Sequence, residues 1–361
     1  MARRRVGILT GGGDAPGLNA VIRAVVKHGV GNLDWEVVGI EDAFNGLLHS
    51  PKRLHQLTPV TCKGLLHRGG TMLGTTNRGN PFRYPDGAGG HVDRSGELAA
   101  QIRAEGLEGL IVIGGDGTQE IAWNLMQAHG IPVIGVPKTI DNDLDCTDFT
   151  FGFWSAVEVA TEALDRLHTT AESHDRVMIM EVMGRTAGWI ALYAGLAGGA
   201  DGIAIPEIPY DPDRFVAKIR QRRERGRPFT LLVVAEGASP IDGAMLSTVN
   251  GAGQVRIKAG GAGATLARLI SERDDAEIRV TVLGHLQRGG SPVPFDRVLA
   301  TRFGVAAVKL VEEGLWGNLV RLEDGLITHV PLDQVAGHPR HVELENPLLQ
   351  DARAVGIELG G

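Results

Sequence analysis

The chain has 361 residues, 43% apolar and 22% charged, which allows two domains or one large α/β unit and does not suggest disorder. A formal charge of −7 argues against a nucleic-acid-binding protein, which needs a basic face. No run approaches 18 apolar residues, and Cys62 and Cys146 are the only cysteines, so we expect a cytoplasmic protein without a membrane span, disulfide framework or zinc site.

Short β-branched runs alternate with helical patterns and predict a doubly wound α/β fold with mainly parallel sheets. The predicted strands are residues 6–10, 37–40, 109–113, 133–136, 177–182, 203–205, 230–235 and 278–283. Apolar residues at helical spacing predict helices around residues 18–26, 156–167 and 262–269. Residues 80–90, rich in glycine and proline, are predicted to form a surface loop.

The first predicted strand leads through GGGDAPGLNA, residues 11–20, directly into a helix. This arrangement presents backbone N–H groups and a helix N-terminus to an anion, which makes Gly12 and Gly13 candidate phosphate contacts. Pro16 stands where the dinucleotide fingerprint needs a small residue, and Asp14 would repel a pyrophosphate unless a metal intervened. The loop therefore disfavours NAD binding, and taken alone it is equally compatible with an ordinary α/β turn.

A second glycine-rich turn, GGDGT at residues 114–118, follows the third predicted strand. Thr118 is predicted to cap a helix that begins with Gln119, while Gly115 and Gly117 let phosphates lie against the main chain. Asp116 is a candidate Mg²⁺ ligand, because this ion binds one or two carboxylates together with donor phosphates; the alternative is a plain turn residue. The motif indicates a phosphotransferase without naming its substrate.

The next predicted strand is followed by PKTIDNDLD, residues 137–145, in which Asp141, Asp143 and Asp145 crowd together. Such repulsion is tolerated where the carboxylates face a cation or take up a proton, so one of them is a candidate general base. A solvated acidic loop is the alternative.

These segments, together with SHDRVMIMEVMGRTAGW at 173–189 and RVTVLGHLQRGGSPVPFDR at 279–297, closely resemble the phosphofructokinase family over roughly residues 6–310. The resemblance implies two Rossmann-like domains with the active site in the cleft between them. A donor domain would comprise 1–152 plus 287–337, and a sugar-phosphate domain 153–286 plus 338–361. The resemblance also implies Mg²⁺-dependent phosphorylation of fructose 6-phosphate in glycolysis by a homo-oligomer, in particular a tetramer.

Residue roles are carried over from the same resemblance. Asp141 would take the proton from the sugar 1-hydroxyl, with Thr139 and Asp143 around the transferred phosphoryl group and Arg185 stabilising transition-state charge. The implied sugar contacts are Met183, Gly184, Glu236, His285 and Arg288. Arg176 and Arg279 match arginines that reach the sugar 6-phosphate across a subunit interface, a task suited to the planar guanidinium. The alternatives are a core methionine, a structural histidine and surface arginines.

The phosphoryl donor depends on two positions. In this family ATP users typically have Gly where this chain has Gly117, whereas pyrophosphate users typically have Asp; Lys138 instead matches a lysine of the pyrophosphate users. ATP is favoured over pyrophosphate, because removing a steric block matters more than adding one cation. Asn77 and Arg78 lie nearest to the position of the family's donor-binding arginine, which is offset by one residue here.

Two further interpretations stay open. A set of charged residues matches the family's effector pocket and is equally compatible with a subunit interface: Arg23, Lys27, Glu207, Arg225 and Arg227. The chain could also be a non-catalytic regulatory subunit of the same fold, against which the intact Asp116, Asp141 and Arg185 argue.

Overall fold

The computed structural model describes residues 3–145, 147–242, 247–249, 255–257, 261–335, 337 and 339–361, so Cys146 lies outside the described residues. The chain divides into two compact units. Unit 1 comprises Met1–Thr139, Leu144–Trp154 and Arg288–Pro339, and unit 2 comprises Ile140–Asp143, Ser155–Gln287 and Arg340–Gly361. The assignment of a donor domain and a sugar domain stays a prediction.

The described strands, in chain order, are β1 Arg5–Thr10, β2 Glu36–Ile40, β3 Leu54–Leu57, β4 Tyr84–Pro85, β5 His91–Val92, β6 Gly109–Gly114, β7 Val133–Thr139, β8 Phe151–Gly152, β9 Val177–Val182, β10 Gly202–Ala204, β11 Thr230–Ala235, β12 Ser247–Val249, β13 Val255–Ile257, β14 Ile278–Val282, β15 Asn318–Glu323 and β16 Leu326–Pro331. The described helices are α1 Leu18–Leu33, α2 Asn45–Leu48, α3 Ser95–Ala104, α4 Asp116–His129, α5 Phe153–His174, α6 Trp189–Ala197, α7 Pro212–Glu224, α8 Gly261–Ser271, α9 Pro294–Glu312 and α10 Pro347–Ala354.

The sheet of unit 1 has the strand order β16-β15-β7-β6-β1-β2-β3, with β8 beside β7. The strands from β15 to β2 are parallel, and β3 and β16 add antiparallel edges. The order reverses at β1, which has β2 on one side and β6 on the other. Doubly wound sheets bind ligands outside the carboxyl ends of the strands at such a reversal, and here both glycine-rich turns leave the sheet.

Helices cover both faces of this sheet. Along β6, Ile111 and Ile113 join the core that includes α1 and α9, whereas Leu110 and Val112 join the core that includes α3 and α4. This alternation is the period of two of a strand buried on both faces. Gly304 lets α9 approach α1 closely, because a Cβ there would lie 2.7 Å from the Cβ of Ala24.

Unit 2 has a parallel sheet of order β10-β11-β9-β14. β9 and β11 are fully buried, and α7 and α8 share a core with them that includes Phe215 and Leu266. β14 forms one edge and exposes Val280 and Val282. The carboxyl ends of β9, β11 and β14 point the same way, so the loops that follow them emerge at one edge of this sheet.

All eight predicted strands are present, with ends that differ by at most three residues. The largest difference is at β7, which continues through Lys138 to Thr139. The predicted surface loop at 80–90 is largely exposed, and it contains a short 3₁₀ turn and part of the β4–β5 hairpin. None of the helices in the described part of the chain is long and apolar enough to cross a membrane.

Candidate active site

The first glycine-rich turn is held by backbone hydrogen bonds at the carboxyl ends of β1 and β6. Gly11 N donates to Ile113 O at 2.9 Å, and Gly12 N donates to Thr76 O at 3.0 Å. Thr75 Oγ1 donates back to Gly12 O at 2.6 Å. Gly12 has φ of 78°, a conformation that favours glycine. The segment that contains the exposed Asn77 and Arg78 therefore begins against this turn.

Two cationic side chains lie against the same turn. Lys138 Nζ donates to Gly13 O at 2.5 Å, and Arg288 Nη1 donates to Asp14 O at 3.1 Å. Arg288, which the resemblance implies as a sugar contact, thus belongs to unit 1 and contacts the first glycine-rich turn. Positive charge next to a strand–turn–helix segment suits a polyphosphate.

The second glycine-rich turn corrects one prediction. The helix begins at Asp116 with Gly115 in the N-cap position, so the prediction that Thr118 caps a helix starting at Gln119 is wrong. Gly115 has ψ of −171° and is extended, which ends β6 and turns the chain into the helix one residue after the strand. The buried Thr118 instead packs against Gly114 and over Gly11, where an added Cβ would lie 2.6 Å from its Cγ2.

Asp116 is the first residue of α4 and is half-buried. Its Oδ1 accepts a hydrogen bond from Gly337 N at 2.7 Å, and the helix N-terminus stabilises its negative charge. A Cβ added at the exposed Gly117 would meet no atom within 4 Å. The described residues contain no group of three or more His, Cys, Asp or Glu able to hold a metal. One carboxylate on a glycine-rich turn fits Mg²⁺, which takes most of its ligands from water and phosphate.

The acidic segment after β7 is largely buried rather than solvated. Asp141 is 6% exposed and Asp143 is 5% exposed, whereas Asp145 is exposed. Asn142 between them has φ of 53°, a left-handed conformation that asparagine tolerates, and Asp143 O accepts a hydrogen bond from Arg340 N at 2.9 Å. Burial of two neighbouring carboxyl groups is costly. Since Asp141 and Asp143 are nevertheless buried, the alternative of a solvated acidic loop is the weaker one.

Lys138 and Thr139 are buried at the end of β7. Thr150 Oγ1 donates to Thr139 O at 2.8 Å, which fixes the strand end. Asp141 follows two residues later. A cation, a hydroxyl and a carboxylate are thus spaced along one short segment, and these are groups that phosphoryl transfer to an alcohol uses.

In unit 2 the structure brings Arg185 and Glu236 together. Glu236 Oε1 accepts a hydrogen bond from Arg185 N at 2.9 Å. Arg185 has φ of 55°, a left-handed conformation that is strained for a side-chain-bearing residue. Gly184 has φ of 147°, and a Cβ at Gly237 would collide with Arg185 O. The Arg185 loop therefore depends on two glycines and on the Glu236 carboxylate.

The remaining sugar candidates of unit 2 fall into two groups. The half-buried Met183 and the exposed His285 follow β9 and β14 at the carboxyl edge. Arg176 and Arg279 lie at the amino ends of the same strands and both pair with Glu277, at 2.8 and 2.5 Å. The six-residue strand β9 lies between Arg176 and Met183 and is itself about 20 Å long at roughly 3.3 Å per residue. One copy of unit 2 thus carries its sugar candidates at opposite edges.

Two buried polar residues were not found from the sequence. Glu181, 3% exposed, accepts a hydrogen bond with Oε2 from Gly263 N at 2.8 Å, at the start of α8. Burial raises the pKa of its carboxyl group, and the charge of Glu236 adds to the increase. Gln119 is fully buried in α4. The available signals were an acid inside an otherwise apolar strand, VMIMEV, and an amide directly after GGDGT.

The charged residues that match the family's effector pocket include Glu207, Arg225 and Arg227, and these lie in different surroundings. Glu207 Oε1 accepts hydrogen bonds from Gly188 N and Val342 N, each at 2.9 Å, so this carboxylate ties together backbone of unit 2. Arg225 and Arg227 line a cavity of about 640 Å³ beside α7. The effector pocket and its interface alternative both stay predictions.

Comparison with known proteins gives a consistent result. The phosphofructokinase family model matches residues 5–311. An ATP-dependent 6-phosphofructokinase of Chloroflexus aurantiacus is 51% identical over 360 residues, which cover 99% of this chain and 98% of the relative. A pyrophosphate–fructose 6-phosphate 1-phosphotransferase of Streptomyces coelicolor is 47% identical over 342 residues, covering 94% and 96%.

The fold has solved counterparts. The structure of a pyrophosphate-dependent phosphofructokinase from Nitrosospira multiformis aligns with a TM-score of 0.81 over 100% of this chain and 93% of that one, at 22% identity. At this identity the likeness supports the fold alone, and the α/β architecture with mainly parallel sheets is confirmed. With the family model and the two relatives, it follows that the chain belongs to the phosphofructokinase family.

Proposed function

We propose that this protein is an ATP-dependent 6-phosphofructokinase, which phosphorylates the 1-hydroxyl of fructose 6-phosphate in cytoplasmic glycolysis. The observation that carries the proposal is the buried Asp141, two residues beyond the Lys138 and Thr139 that end β7. A carboxylate held in this position supplies a base for an alcohol acceptor, which a protein that only binds nucleotide does not need.

The donor roles fall on unit 1. The main chain at Gly12, Gly13 and Gly115 would hold the polyphosphate, and Lys138 would contact the transferred phosphoryl group. Asp116 would hold Mg²⁺, which neutralises charge on the phosphate oxygens when bound. Thr118 supports this surface by packing on Gly11 and Gly114. Asn77 and Arg78 are proposed as contacts to the rest of the nucleotide.

The acceptor roles fall on unit 2, except that Thr139 and Arg288 belong to unit 1. Asp141 accepts the proton of the sugar 1-hydroxyl, with Thr139 and Asp143 positioning the transferred group. Arg185 stabilises the negative charge that develops on its equatorial oxygens. Its backbone N–H is held by Glu236, so the carboxylate proposed to bind the sugar also orients the catalytic arginine. Met183, Gly184, His285 and Arg288 are proposed as further sugar contacts.

ATP is proposed as the donor because Gly117 leaves open space in the first turn of α4, and because the Chloroflexus aurantiacus relative is named as ATP-dependent. Pyrophosphate is the second candidate. It is favoured by Lys138 and by the name of the Streptomyces coelicolor relative. A non-catalytic subunit is the third, and it is disfavoured by the retained Asp116, Asp141 and Arg185.

A homo-oligomer, specifically a tetramer, is proposed because Arg176 and Arg279 lie about 20 Å from Met183 within one unit. A sugar 6-phosphate bound near Met183 would need these arginines from a second copy. Their shared partner Glu277 keeps both side chains on the same part of the surface.

The test is turnover of the purified protein with fructose 6-phosphate and Mg²⁺, supplied first with ATP and then with pyrophosphate. Product with ATP alone supports the proposal, and product with pyrophosphate alone supports the second candidate. Absence of product with either donor refutes both.

A further inference from the structure

Gln119 makes a set of contacts that the proposed reaction does not yet account for. Its side chain is fully buried in the first turns of α4. Nε2 donates to Gly114 O at 3.1 Å, Val136 O at 3.1 Å and Val112 O at 3.3 Å. These acceptors belong to the last residues of β6 and the end region of β7, so a single amide spans both strands just before their functional segments.

The orientation of this amide follows from its surroundings. The reverse orientation would place Oε1 against three carbonyl oxygens, which is repulsive. Nε2 carries two N–H groups, so its three acceptors share them, and each carbonyl has a second lone pair available beyond the sheet ladder. Oε1 is buried and has no hydrogen-bond partner among the described residues. A buried acceptor left without a donor is costly, so a leucine or methionine would be the simpler choice if Gln119 only filled space.

The contacts connect residues of the phosphoryl-transfer machinery. Gln119 lies three residues after Asp116, on the same helical turn, and binds the carbonyl of Gly114 just before it. Its bond to Val136 O fixes β7 two residues before Lys138. The amide therefore couples the turn that carries Asp116 to the strand that carries Lys138.

We propose that Gln119 is a positioning residue for phosphoryl transfer, which sets the placement of Asp116 relative to Lys138 by pinning the first turn of α4 onto the ends of β6 and β7. This inference rests on the proposed kinase function. Gln119 touches neither substrate nor metal. Its effect is on the donor side of the reaction, because both coupled residues are proposed to act on the polyphosphate and its metal.

The decisive variant is Gln119→Met, which keeps the length and volume of the side chain and removes its N–H donors. Small misplacements of catalytic groups cost up to about a hundredfold in rate. We therefore expect kcat/KM for the donor to fall about tenfold to a hundredfold, with a higher Mg²⁺ concentration for half-maximal rate and an unchanged KM for fructose 6-phosphate. Leu125→Ala is the matched control, because Leu125 is a fully buried residue of the same helix that lies outside this contact set.

The possible results distinguish failure of the proposed kinase function from failure of the positioning role of Gln119. A wild-type protein inactive with both donors overturns the proposed function and this inference with it. An active wild type with an unchanged Gln119→Met, or with a loss that matches Leu125→Ala at equal folded fraction, overturns the positioning role alone. If Gln119→Met does not fold, Gln119→Asn, whose amide is one methylene too short to reach the strands, is measured in the same way with the same two outcomes.

Discussion

The choice of ATP over pyrophosphate as donor can be tested at Gly117, because substitutions there can change the volume and the charge of the side chain separately. A Cβ at this exposed position meets no atom within 4 Å, and Gly117 does not have a positive φ. Gly117→Ala, Gly117→Asn and Gly117→Asp should therefore all fold. Alanine is favoured over glycine inside a helix by up to about 1 kcal/mol, and an acidic residue in the first turn gains about 0.3–1 kcal/mol from the helix dipole.

The activities of these variants should diverge from their stabilities. A carboxylate about 6 Å from a phosphate charge costs about 1–3 kcal/mol at effective dielectric constants of about 40 to 20, which is about a tenfold to hundredfold loss in kcat/KM for ATP. Pyrophosphate has no α-phosphate, so we expect kcat/KM for pyrophosphate to fall less than kcat/KM for ATP. Gly117→Asn carries nearly the same volume without the charge and shows how much of the loss is steric.

The assay is initial rate against ATP and against pyrophosphate at fixed fructose 6-phosphate, alongside urea unfolding of each variant. Full ATP activity in Gly117→Asp would refute the view that the donor lies over the first turn of α4. A loss that is equal for both donors would show a general disturbance of Asp116 instead.

Three further predictions follow from other parts of the structure. Asp141→Ser should lower turnover by about 10²–10⁴-fold while fructose 6-phosphate still binds by calorimetry; unchanged turnover would remove Asp141 as the base. Glu181→Gln tests the raised pKa of Glu181: the stability from its protonated form is full below the ordinary value of 4.5 and is lost as pH rises through the higher folded value. The urea midpoint of the wild type should accordingly fall relative to Glu181→Gln as the pH rises above 4.5, and a constant difference contradicts the assignment. Arg279→Ala should raise the KM for fructose 6-phosphate, and at low fructose 6-phosphate reassembly of its subunits with Asp141→Ser subunits should give more activity than either parent shows; no gain would argue against an arginine donated between copies.

The parallel core of both sheets could be predicted because its strands are continuous β-branched runs, such as TLLVVA in β11. The outer strands of unit 1 could not. β3, β15 and β16 are short or half-exposed, and a sequence such as NLVRLE in β15 mixes apolar and charged residues in the manner of many surface segments. The helix start at Asp116 was missed because threonine is a strong capping residue, while the structure uses it to fill the space above two glycines.

The candidate residues themselves could be found through motifs and family resemblance, but their contacts could not. Nothing in the local sequence pairs Lys138 with Gly13 or Arg288 with Asp14, since 125 and 274 residues separate them. The Lys138 contact depends on the strand order, in which β7, β6 and β1 are neighbours. Sequence patterns reveal which residues could carry chemistry, and the sheet topology decides which of them meet.

In the loop that carries Arg185, neighbouring residues are linked so closely that their roles are not independent. A left-handed arginine is unfavourable in isolation, so it persists only because the surrounding structure holds it, here through Glu236 and the close approach of Gly237. Residues that share a hydrogen bond do not act additively when they are substituted. A change at Glu236 therefore acts on the orientation of Arg185 as well as on the sugar contact proposed for Glu236, so a fall in kcat would combine both effects.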